Sequence, residues 1–340
     1  MSTFGLKPEN CVWELTLACC FSCKYCGSGG GKARPGELTT EECLGVADAL
    51  ADLGCRRISL IGGEVFLHPG WKQIVTRLVQ RGILVCIISN GYMIDYALAQ
   101  ELSELNIESV ALSIDGPREV HDRYRQEGSF MRARRALGVL SDAGVPVSVI
   151  STLNHENAQR LEEMYRFLLD YPIFAWQLQA CLPMGNAAQG AVDFRFNHAA
   201  VIRFVEEHGD APFALGIADN IGYFTEKEGS LRGNRSGLAC FPGCQAGLSL
   251  VAVDSIGNVR GCESLYDDRF VEGNVRERNL KEIWEDPENF AYNRKFCPEM
   301  LKGKCAGCGE ADRCRGGCRS YSYFVKGHFY EAPFCMRGRM

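Results

Sequence analysis

Three cysteines on one short stretch are the residues of this sequence most able to do chemistry. Cys19, Cys23 and Cys26 form a C-x3-C-x2-C pattern between an apolar, strand-like segment and a glycine-rich run. Grouped thiolates select iron–sulfur clusters, zinc or copper(I). Three ligands on a four-iron cluster leave one iron without a protein ligand, and an open metal position is where chemistry takes place. A structural zinc loop is the alternative, although zinc ligands usually come as two C-x2-C pairs or as mixed cysteine and histidine sets.

A second group of cysteines lies near the carboxyl end of the chain. Residues 240–340 hold nine of the eighteen cysteines, and this uneven distribution predicts a domain boundary. Four of the nine, from Cys305 to Cys318, follow the pattern C-x2-C-x5-C-x3-C. A double zinc site of the ribbon type is the alternative to iron–sulfur ligation here, because the C-x2-C pair alone would favour zinc.

Length and composition limit the class of protein. A chain of 340 residues with 46% hydrophobic side chains can bury a large core, and its length predicts two domains. The net charge of −5 argues against a nucleic acid as the main partner. No apolar run approaches the roughly 18 residues of a membrane span, and residues 1–7 do not resemble a signal peptide. We therefore expect a cytoplasmic protein whose cysteines serve metal ligation or catalysis rather than disulfides.

Apolar segments alternate with helical patterns through the first half of the chain. The six predicted strands are 12–17, 57–61, 83–88, 109–114, 147–152 and 175–180. The predicted helices between and after them are 38–53, 70–80, 96–105, 130–143, 157–169 and 196–208. This alternation predicts parallel βα units, in which the reactive loops gather at the carboxyl ends of the strands.

Glycine and polar residues follow three of the predicted strands. They are Gly62, Gly63, Glu64, Ser89, Asn90, Ser113 and Asp115. Glycines let the backbone approach a ligand closely, and a carboxylate can pair with an ammonium group. Taken one at a time, each of these segments is also common turn chemistry.

The cysteine loop resembles that of the radical S-adenosylmethionine (SAM) enzymes. The shared features are C-x3-C-x2-C and an aromatic residue, Tyr25, before the third cysteine. The resemblance implies that the open iron chelates the amino and carboxylate groups of SAM. Electron transfer would then cleave SAM to a 5′-deoxyadenosyl radical, which abstracts hydrogen from a substrate. It also implies an α/β fold, a partial (β/α)6 barrel built from the six predicted strands.

The same resemblance implies roles for the residues at the strand ends. Glu64, in a segment similar to the family's G-G-E motif, would pair with the SAM ammonium, although Val65 stands where the family usually has proline. Arg125 resembles the arginine that reaches the SAM carboxylate, and a bidentate fork suits that task. Tyr25 stands where the family places an aromatic ring against adenine. The full set of expected SAM contacts is Tyr25, Gly62, Gly63, Glu64, Ser89, Asn90, Ser113, Asp115 and Arg125.

The C-terminal cysteines resemble the SPASM extension of radical SAM peptide-modifying enzymes. The resemblance implies two auxiliary four-iron clusters, so that with the first the chain would hold three [4Fe-4S] clusters. The ligands of the first auxiliary cluster would be Cys240, Cys244, Cys262 and Cys318. Those of the second would be Cys305, Cys308, Cys314 and Cys335. We expect a radical SAM partial barrel over residues 9–195, a helical bridge over 196–236 and a small SPASM domain over 237–340, with a β-hairpin between about residues 248 and 262.

These resemblances imply an oxidoreductase that modifies a ribosomally made peptide. The leading product class is an oxidative cross-link, either a thioether, a carbon–carbon or a carbon–oxygen bond. The alternatives are an anaerobic sulfatase-type maturase that makes formylglycine, a peptide epimerase, and a degenerate cluster protein that only binds peptide or passes electrons. An epimerase needs a hydrogen donor, and the candidate is Cys181 at the end of the sixth predicted strand. The alternative is that Cys181 only packs at the mouth of the barrel.

Partners follow from the same reasoning. The expected partners are a precursor peptide and an electron donor such as flavodoxin or ferredoxin, with neither nucleic acid nor membrane. The leader peptide would be recognised either by the surfaces of this chain or by a separate leader-binding protein. The cluster loop begins at residue 19, so we expect no leader-binding domain before the barrel.

Overall fold

One sheet of ten strands runs through the protein. The fold is that of a computed structural model, which describes residues 5–218, 221, 231 and 241–337. The strands are β1 (Asn10–Glu14), β2 (Arg57–Ile61), β3 (Leu84–Ser89), β4 (Ser109–Ser113), β5 (Val147–Leu153), β6 (Ala175–Ala180), β7 (Ala214–Ile217), β8 (Leu250–Val253), β9 (Asn258–Arg260) and β10 (Gly273–Asn274). Their order is β10-β9-β8-β1-β2-β3-β4-β5-β6-β7. All neighbours from β8 to β7 pair in parallel, whereas β8–β9 and β9–β10 are antiparallel.

Helices connect the parallel strands and continue into the C-terminal region. They are α1 (Thr40–Asp52), α2 (Trp71–Gln80), α3 (Tyr96–Glu104), α4 (Arg118–Tyr124), α5 (Ser129–Asp142), α6 (Leu161–Leu168), α7 (His198–Glu207), α8 (Leu280–Glu285), α9 (Ala291–Arg294), α10 (Ala311–Cys314) and α11 (Arg319–Lys326). Thr39 and Glu42 form a capping box at the start of α1, and the Asp95 side chain caps α3. The expected open α/β barrel with a C-terminal hairpin is confirmed, and β2 and β6 have the predicted bounds.

Three features differ from the sequence expectations. Strand β7 lies in the segment expected to be a helical bridge, and it adds a seventh parallel strand beside β6. Helix α4 and the four short helices α8–α11 were not predicted, because segments of four to eight residues show too few helical repeats. Strand β8 pairs with β1, so the sheet of the barrel continues into the C-terminal hairpin.

The strands present one face to the helices and the other to the interior of the barrel. On β2, Ile58 and Leu60 are fully buried in the main hydrophobic core, whereas Ser59 between them is half-buried. The same alternation recurs along β3, β5 and β6. The core therefore lies between sheet and helices, and the partly exposed face lines the barrel.

Within the described ranges, no cysteine forms a disulfide. In the same residues, no helix has the length and apolar character needed to cross a membrane.

Candidate functional site

The loop that carries Cys19, Cys23 and Cys26 is closed at its base. The amide of Cys19 donates to the Gly31 carbonyl over 2.9 Å, and the amide of Gly31 donates to the Leu17 carbonyl over 2.8 Å. Backbone amides of Phe21 and Gly30 point at the sulfurs of Cys19 and Cys26, at 3.4 and 3.3 Å. Amide donors to thiolate sulfur are one of the means by which proteins set the properties of iron–sulfur clusters. The loop thus presents three thiols, two of which already have donors.

Gly62 and Gly63 let the end of β2 pass directly beneath this loop. A Cβ atom on Gly62 would lie 2.4 Å from the Thr16 carbonyl oxygen, and one on Gly63 would lie 2.2 Å from the Ala18 carbonyl oxygen. Any side chain here would therefore push the loop away. The amide of Glu64 also donates to Ala18 over 2.7 Å. The two glycines therefore let the end of β2 pack closely against the backbone that leads into the cysteine loop.

Glu64 is a buried carboxylate that receives only neutral donors. It is 1% exposed, and its oxygens accept from the Ser89 hydroxyl at 2.9 Å and the Asn90 amide at 3.0 Å. No lysine, arginine or histidine in the described part of the chain forms an ion pair with it. Burial raises the pKa of Glu64 to about 7. A cationic ligand at this carboxylate would replace the missing counter-charge.

Asn90 connects Glu64 to the cysteine loop. Its side-chain amide lies 3.8 Å from the Cys19 sulfur and 3.5 Å from the Cys20 sulfur. Its side-chain oxygen accepts from the Tyr92 amide over 2.8 Å, which orients the side chain. The ends of β2 and β3 therefore meet beside the first cysteine, as the strand-end pattern predicted.

Asp115 is the centre of a second buried network. Its carboxylate accepts from the Tyr25 hydroxyl, from the Nε and Nη2 of Arg125, and from the Thr152 amide at 2.9 Å. Burial on its own would raise the pKa of Asp115, but the guanidinium outweighs it and the pKa lies below its usual value. The Arg125 Cζ also lies 5.5 Å from the centre of the Tyr25 ring. Tyr25, Asp115 and Arg125 thus bind one another, and Ser113 lies two residues before Asp115 at the end of β4.

Sequence reasoning missed the groups that support Asp115. The amide of Asp115 donates to Nδ1 of His121, a fully buried side chain whose pKa burial lowers to about 4. The Asn157 side chain donates to the carbonyls of Asp115 and Thr152, both at 2.8 Å. No sequence motif marks His121 and Asn157, because their contacts with Asp115 arise only where α4 and the segment after β5 meet the end of β4.

The interior of the barrel near this site carries neutral polar groups. Ser59, Ser148, Thr152, Gln177 and Gln179 alternate with core residues on their strands and so point inwards. The Gln179 side chain donates to the Thr152 hydroxyl over 3.0 Å. Such groups offer both donors and acceptors for hydrogen bonds.

Cys181 lies just past β6, in a small apolar cluster at the mouth of the barrel. It is 1% exposed and packs with Tyr25, Ala187 and Val192. Burial raises the pKa of its thiol to about 12, so the thiol keeps its proton. The structure therefore places Cys181 beside the Tyr25 ring, on the cysteine-loop side of the barrel.

The C-terminal cysteines fall into two sets. The pKa of Cys262 is raised by burial and then by the neighbouring thiols of Cys244 and Cys318. Likewise, the pKa of Cys305 is raised by burial and then by Cys335 and Cys308.

The second set also includes Cys314. Burial raises the pKa of Cys314 to about 12, and the nearby thiols of Cys335 and Cys305 act in the same direction. The Ala332 amide lies 3.4 Å from the Cys305 sulfur, and Arg337 Nη1 lies 3.2 Å from the Cys308 sulfur.

Cys240 lies outside the residues that the structure describes. Within those residues, no three His, Cys, Asp or Glu side chains stand close enough to share a single metal ion.

Comparison with known proteins places this site in a family. The family model of the radical SAM superfamily matches residues 13–168, and that of the SPASM iron–sulfur cluster-binding domain matches residues 244–309. This chain is a radical SAM enzyme with a SPASM domain.

Individual relatives of this radical SAM/SPASM chain are distant but span nearly all of it. An AdoMet-dependent heme synthase of Methanosarcina barkeri is 28% identical over 97% of this chain and 96% of its own length. The mycofactocin maturase MftC of Mycobacterium ulcerans is 28% identical over 94% of this chain and 86% of its own. The crystal structure of Streptococcus suis SuiB bound to precursor peptide SuiA has a TM-score of 0.76 at 15% identity, covering 96% of this chain and 75% of that one. The last likeness shows the fold alone.

Both domains imply cofactors, SAM and iron–sulfur clusters, and the residues present fit them. The cysteine loop supplies three thiols with amide donors at two of the sulfurs. Glu64 is a buried carboxylate without a cationic partner among the described residues, which suits the ammonium of SAM. The two C-terminal sets of neighbouring thiols suit cluster ligation, in which each thiolate binds a different iron.

Proposed function

We propose that this radical SAM/SPASM enzyme modifies a ribosomally made peptide and installs an oxidative cross-link, a thioether, carbon–carbon or carbon–oxygen bond. Relatives support a peptide substrate, since MftC is named a maturase and SuiB was crystallised with a precursor peptide. When bound, SAM and its cluster supply a radical that abstracts hydrogen. The chain's own task is to bind the cofactors, orient the peptide and exclude water.

The proposed SAM site uses the two networks at the strand ends. Cys19, Cys23 and Cys26 would hold the cluster, and Glu64 would accept hydrogen bonds from the SAM ammonium. The Nε and Nη2 of Arg125 are engaged by Asp115, so it would reach the SAM carboxylate with Nη1. Tyr25, Gly62, Gly63, Ser89, Asn90, Ser113 and Asp115 complete the proposed set.

Three clusters are proposed in all. Cys240, Cys244, Cys262 and Cys318 would hold the first auxiliary cluster, and Cys305, Cys308, Cys314 and Cys335 the second. The proposal is supported by the two sets of mutually close thiols, one of which lacks only the undescribed Cys240. We also propose that the chain divides into a barrel (9–195), a bridge (196–236) and a SPASM region (237–340).

The single observation that carries the peptide substrate is the uncharged inner face of β5 and β6. A relative of equal identity is named a heme synthase, so a tetrapyrrole precursor of heme is the second candidate. Such a substrate carries several carboxylates, which require cations. On β5 and β6, none of the inward side chains is charged; they are Ser148, Ile150, Thr152, Ala175, Gln177 and Gln179. Arg34 and Arg125 already pair with carboxylates. Uncharged donors and acceptors match the amide groups of a peptide backbone.

Epimerisation remains a distinct outcome because of Cys181. A cysteine that donates a hydrogen atom must be in its protonated S–H form, and burial keeps the Cys181 thiol protonated. If the enzyme is an epimerase, Cys181→Ala will abolish deuterium uptake from heavy water while SAM cleavage continues. Unaltered product yield in the variant would remove Cys181 from the mechanism.

Further partners belong to the same proposal. We propose an electron donor such as flavodoxin or ferredoxin, a leader contact made by the barrel and SPASM surfaces or by a separate protein, and a cytoplasmic location. None of the described cysteines forms a disulfide, which is consistent with a reducing compartment.

The test is the mass of the short peptide encoded beside this gene, after anaerobic incubation with reconstituted enzyme, reductant and SAM. Loss of two hydrogens is the expected result and directs fragmentation to the linked residues. Unchanged mass with deuterium gained in heavy water means epimerisation. A changed mass of a tetrapyrrole precursor of heme, with the peptide untouched, would replace the peptide proposal by the second candidate.

A further inference from the structure

An exposed apolar patch lies on the outside of the cysteine loop. Four of the large apolar side chains that are exposed in the described residues come from the turn after β3 and the starts of α3 and α5. They are Tyr92 (39% exposed), Met93 (39%), Tyr96 (62%) and Met131 (43%). Gly91 fixes this turn on α5, since a Cβ atom there would lie 3.1 Å from Ala133. We call these four side chains the Tyr92 patch.

The patch touches the cysteine loop through one aromatic contact. The Tyr92 ring meets the Phe21 ring edge to face, with 5.6 Å between centroids. Phe21 is 4% exposed, and its amide donates to the Cys19 sulfur over 3.4 Å. Tyr92 therefore connects the surface to Cys19 through one buried residue, whose ring meets Tyr92 and whose amide meets the sulfur.

Cations stand beside the patch without acidic partners. The Arg132 Cζ lies 5.0 Å from the centre of the Tyr92 ring, and Arg135 follows one turn later on α5. Both side chains are exposed, and neither forms an ion pair with any described residue. Most exposed arginines of this acidic protein do have such partners, for example Arg57 with Glu108 and Arg81 with Asp52. The unpaired guanidinium groups leave charge available for an acidic partner.

We propose that the Tyr92 patch and its two arginines dock the electron donor of the enzyme, an acidic low-potential electron-transfer protein. The inference rests on the proposed function, because reductive SAM cleavage needs an electron from outside. A flavodoxin donor would give one electron from its anionic hydroquinone to the cluster at Cys19, Cys23 and Cys26 and become the neutral semiquinone, with no proton transferred. An apolar centre with a charged rim suits a brief encounter steered by charge.

Charge reversal at the two arginines tests the docking site. We expect Arg132→Glu with Arg135→Glu to slow oxidation of flavodoxin hydroquinone by the reconstituted enzyme roughly tenfold or more at low salt, and less at high salt. Stopped-flow absorbance of the semiquinone measures the rate, and titration with oxidised flavodoxin measures binding directly. The matched control is Arg56→Glu, an exposed arginine before β2 at the opposite end of the barrel, which should keep the wild-type rate.

The remaining outcomes separate the possible failures. Wild-type flavodoxin kinetics in the double variant would overturn the proposal. If the double variant also binds the precursor peptide more weakly, the patch belongs to the substrate-binding surface instead. SAM cleavage driven by dithionite does not need docking and should be equal in all variants; its absence in the wild type would instead refute the proposed function. Iron content, measured for each variant, shows that the clusters assemble.

Discussion

Replacing Glu64 with glutamine is the sharpest test of the SAM site. Glu64 is buried, accepts from Ser89 and Asn90, and has no cationic partner among the described residues. The SAM ammonium would supply that partner. Glutamine keeps the size of the side chain and removes its charge, so the variant isolates the electrostatic contribution.

The expected loss follows from the strength of hydrogen bonds to charged groups. Such bonds contribute about 1.5–3 kcal/mol, which corresponds to a weakening of SAM binding by about ten- to 150-fold. The wild-type affinity should also depend on pH, because burial raises the pKa of Glu64 to about 7 and only the ionised carboxylate pairs with ammonium. SAM affinity should therefore fall as the pH decreases through about 7, approaching tenfold per pH unit below it. The affinities are compared at pH 7.5 and below, because the α-amino group of SAM itself loses its proton near pH 8.

Anaerobic calorimetric titration of SAM into the reconstituted enzyme at pH 6 and pH 7.5 measures both effects. We expect the Glu64→Gln variant to bind weakly and to lose the pH dependence. The matched control is Glu331→Gln, a buried glutamate near the C-terminal cysteines that pairs with Lys326. Wild-type affinity in Glu64→Gln, or a pH dependence that survives in it, would refute the assignment of Glu64 to the SAM ammonium.

Three further changes test the surrounding structure. Gly63→Ala would place a methyl group 2.2 Å from the Ala18 carbonyl oxygen and should abolish SAM binding. Its control is Gly45→Ala in α1, where no atom lies within 4 Å of the added methyl group. The control should stabilise α1 by about 0.5–1 kcal/mol in denaturant titrations. Asp115→Asn leaves a buried guanidinium without its carboxylate and should lower the free energy of unfolding by roughly 3–5 kcal/mol; a loss below 1 kcal/mol would contradict the network. Cys305→Ala should lower the iron content from roughly twelve to about eight per chain, whereas Cys43→Ala, at a buried non-ligand, should not change it.

The sequence predicted most elements that carry a strong local signal. Strands such as β2 and β6 are apolar runs between turn residues, and the structure gives them the predicted bounds. The helix predicted over 38–53 is α1, and the structure shows that it starts at a capping box formed by Thr39 and Glu42. Strand β7 was missed because four residues, Ala214–Ile217, show no clear alternation and form a strand only beside β6.

The site was predictable in its members but not in their contacts. The order of the motifs indicated that Tyr25, Asp115 and Arg125 share one mouth of the barrel. It did not indicate that Asp115 would bind the other two, or that His121 would support it. These contacts depend on how α4 returns over the end of β4, and no local pattern encodes that distance.

The pairing of β8 with β1 makes the C-terminal hairpin part of the barrel, and a charge network crosses the same junction. Arg34, eight residues after Cys26, lies 3.0 Å from Glu14 at the end of β1 and 3.4 Å from Asp254 in the hairpin turn. Asp254 also pairs at 2.7 Å with Arg260, two residues before Cys262, and both arginines lie over the Tyr266 ring. Buried pairs of this kind contribute little net stability, but breaking one is costly because it leaves a charge unpaired. The network therefore ties the segment that follows Cys19, Cys23 and Cys26 to the hairpin that leads to Cys262, because moving either one would separate buried charges.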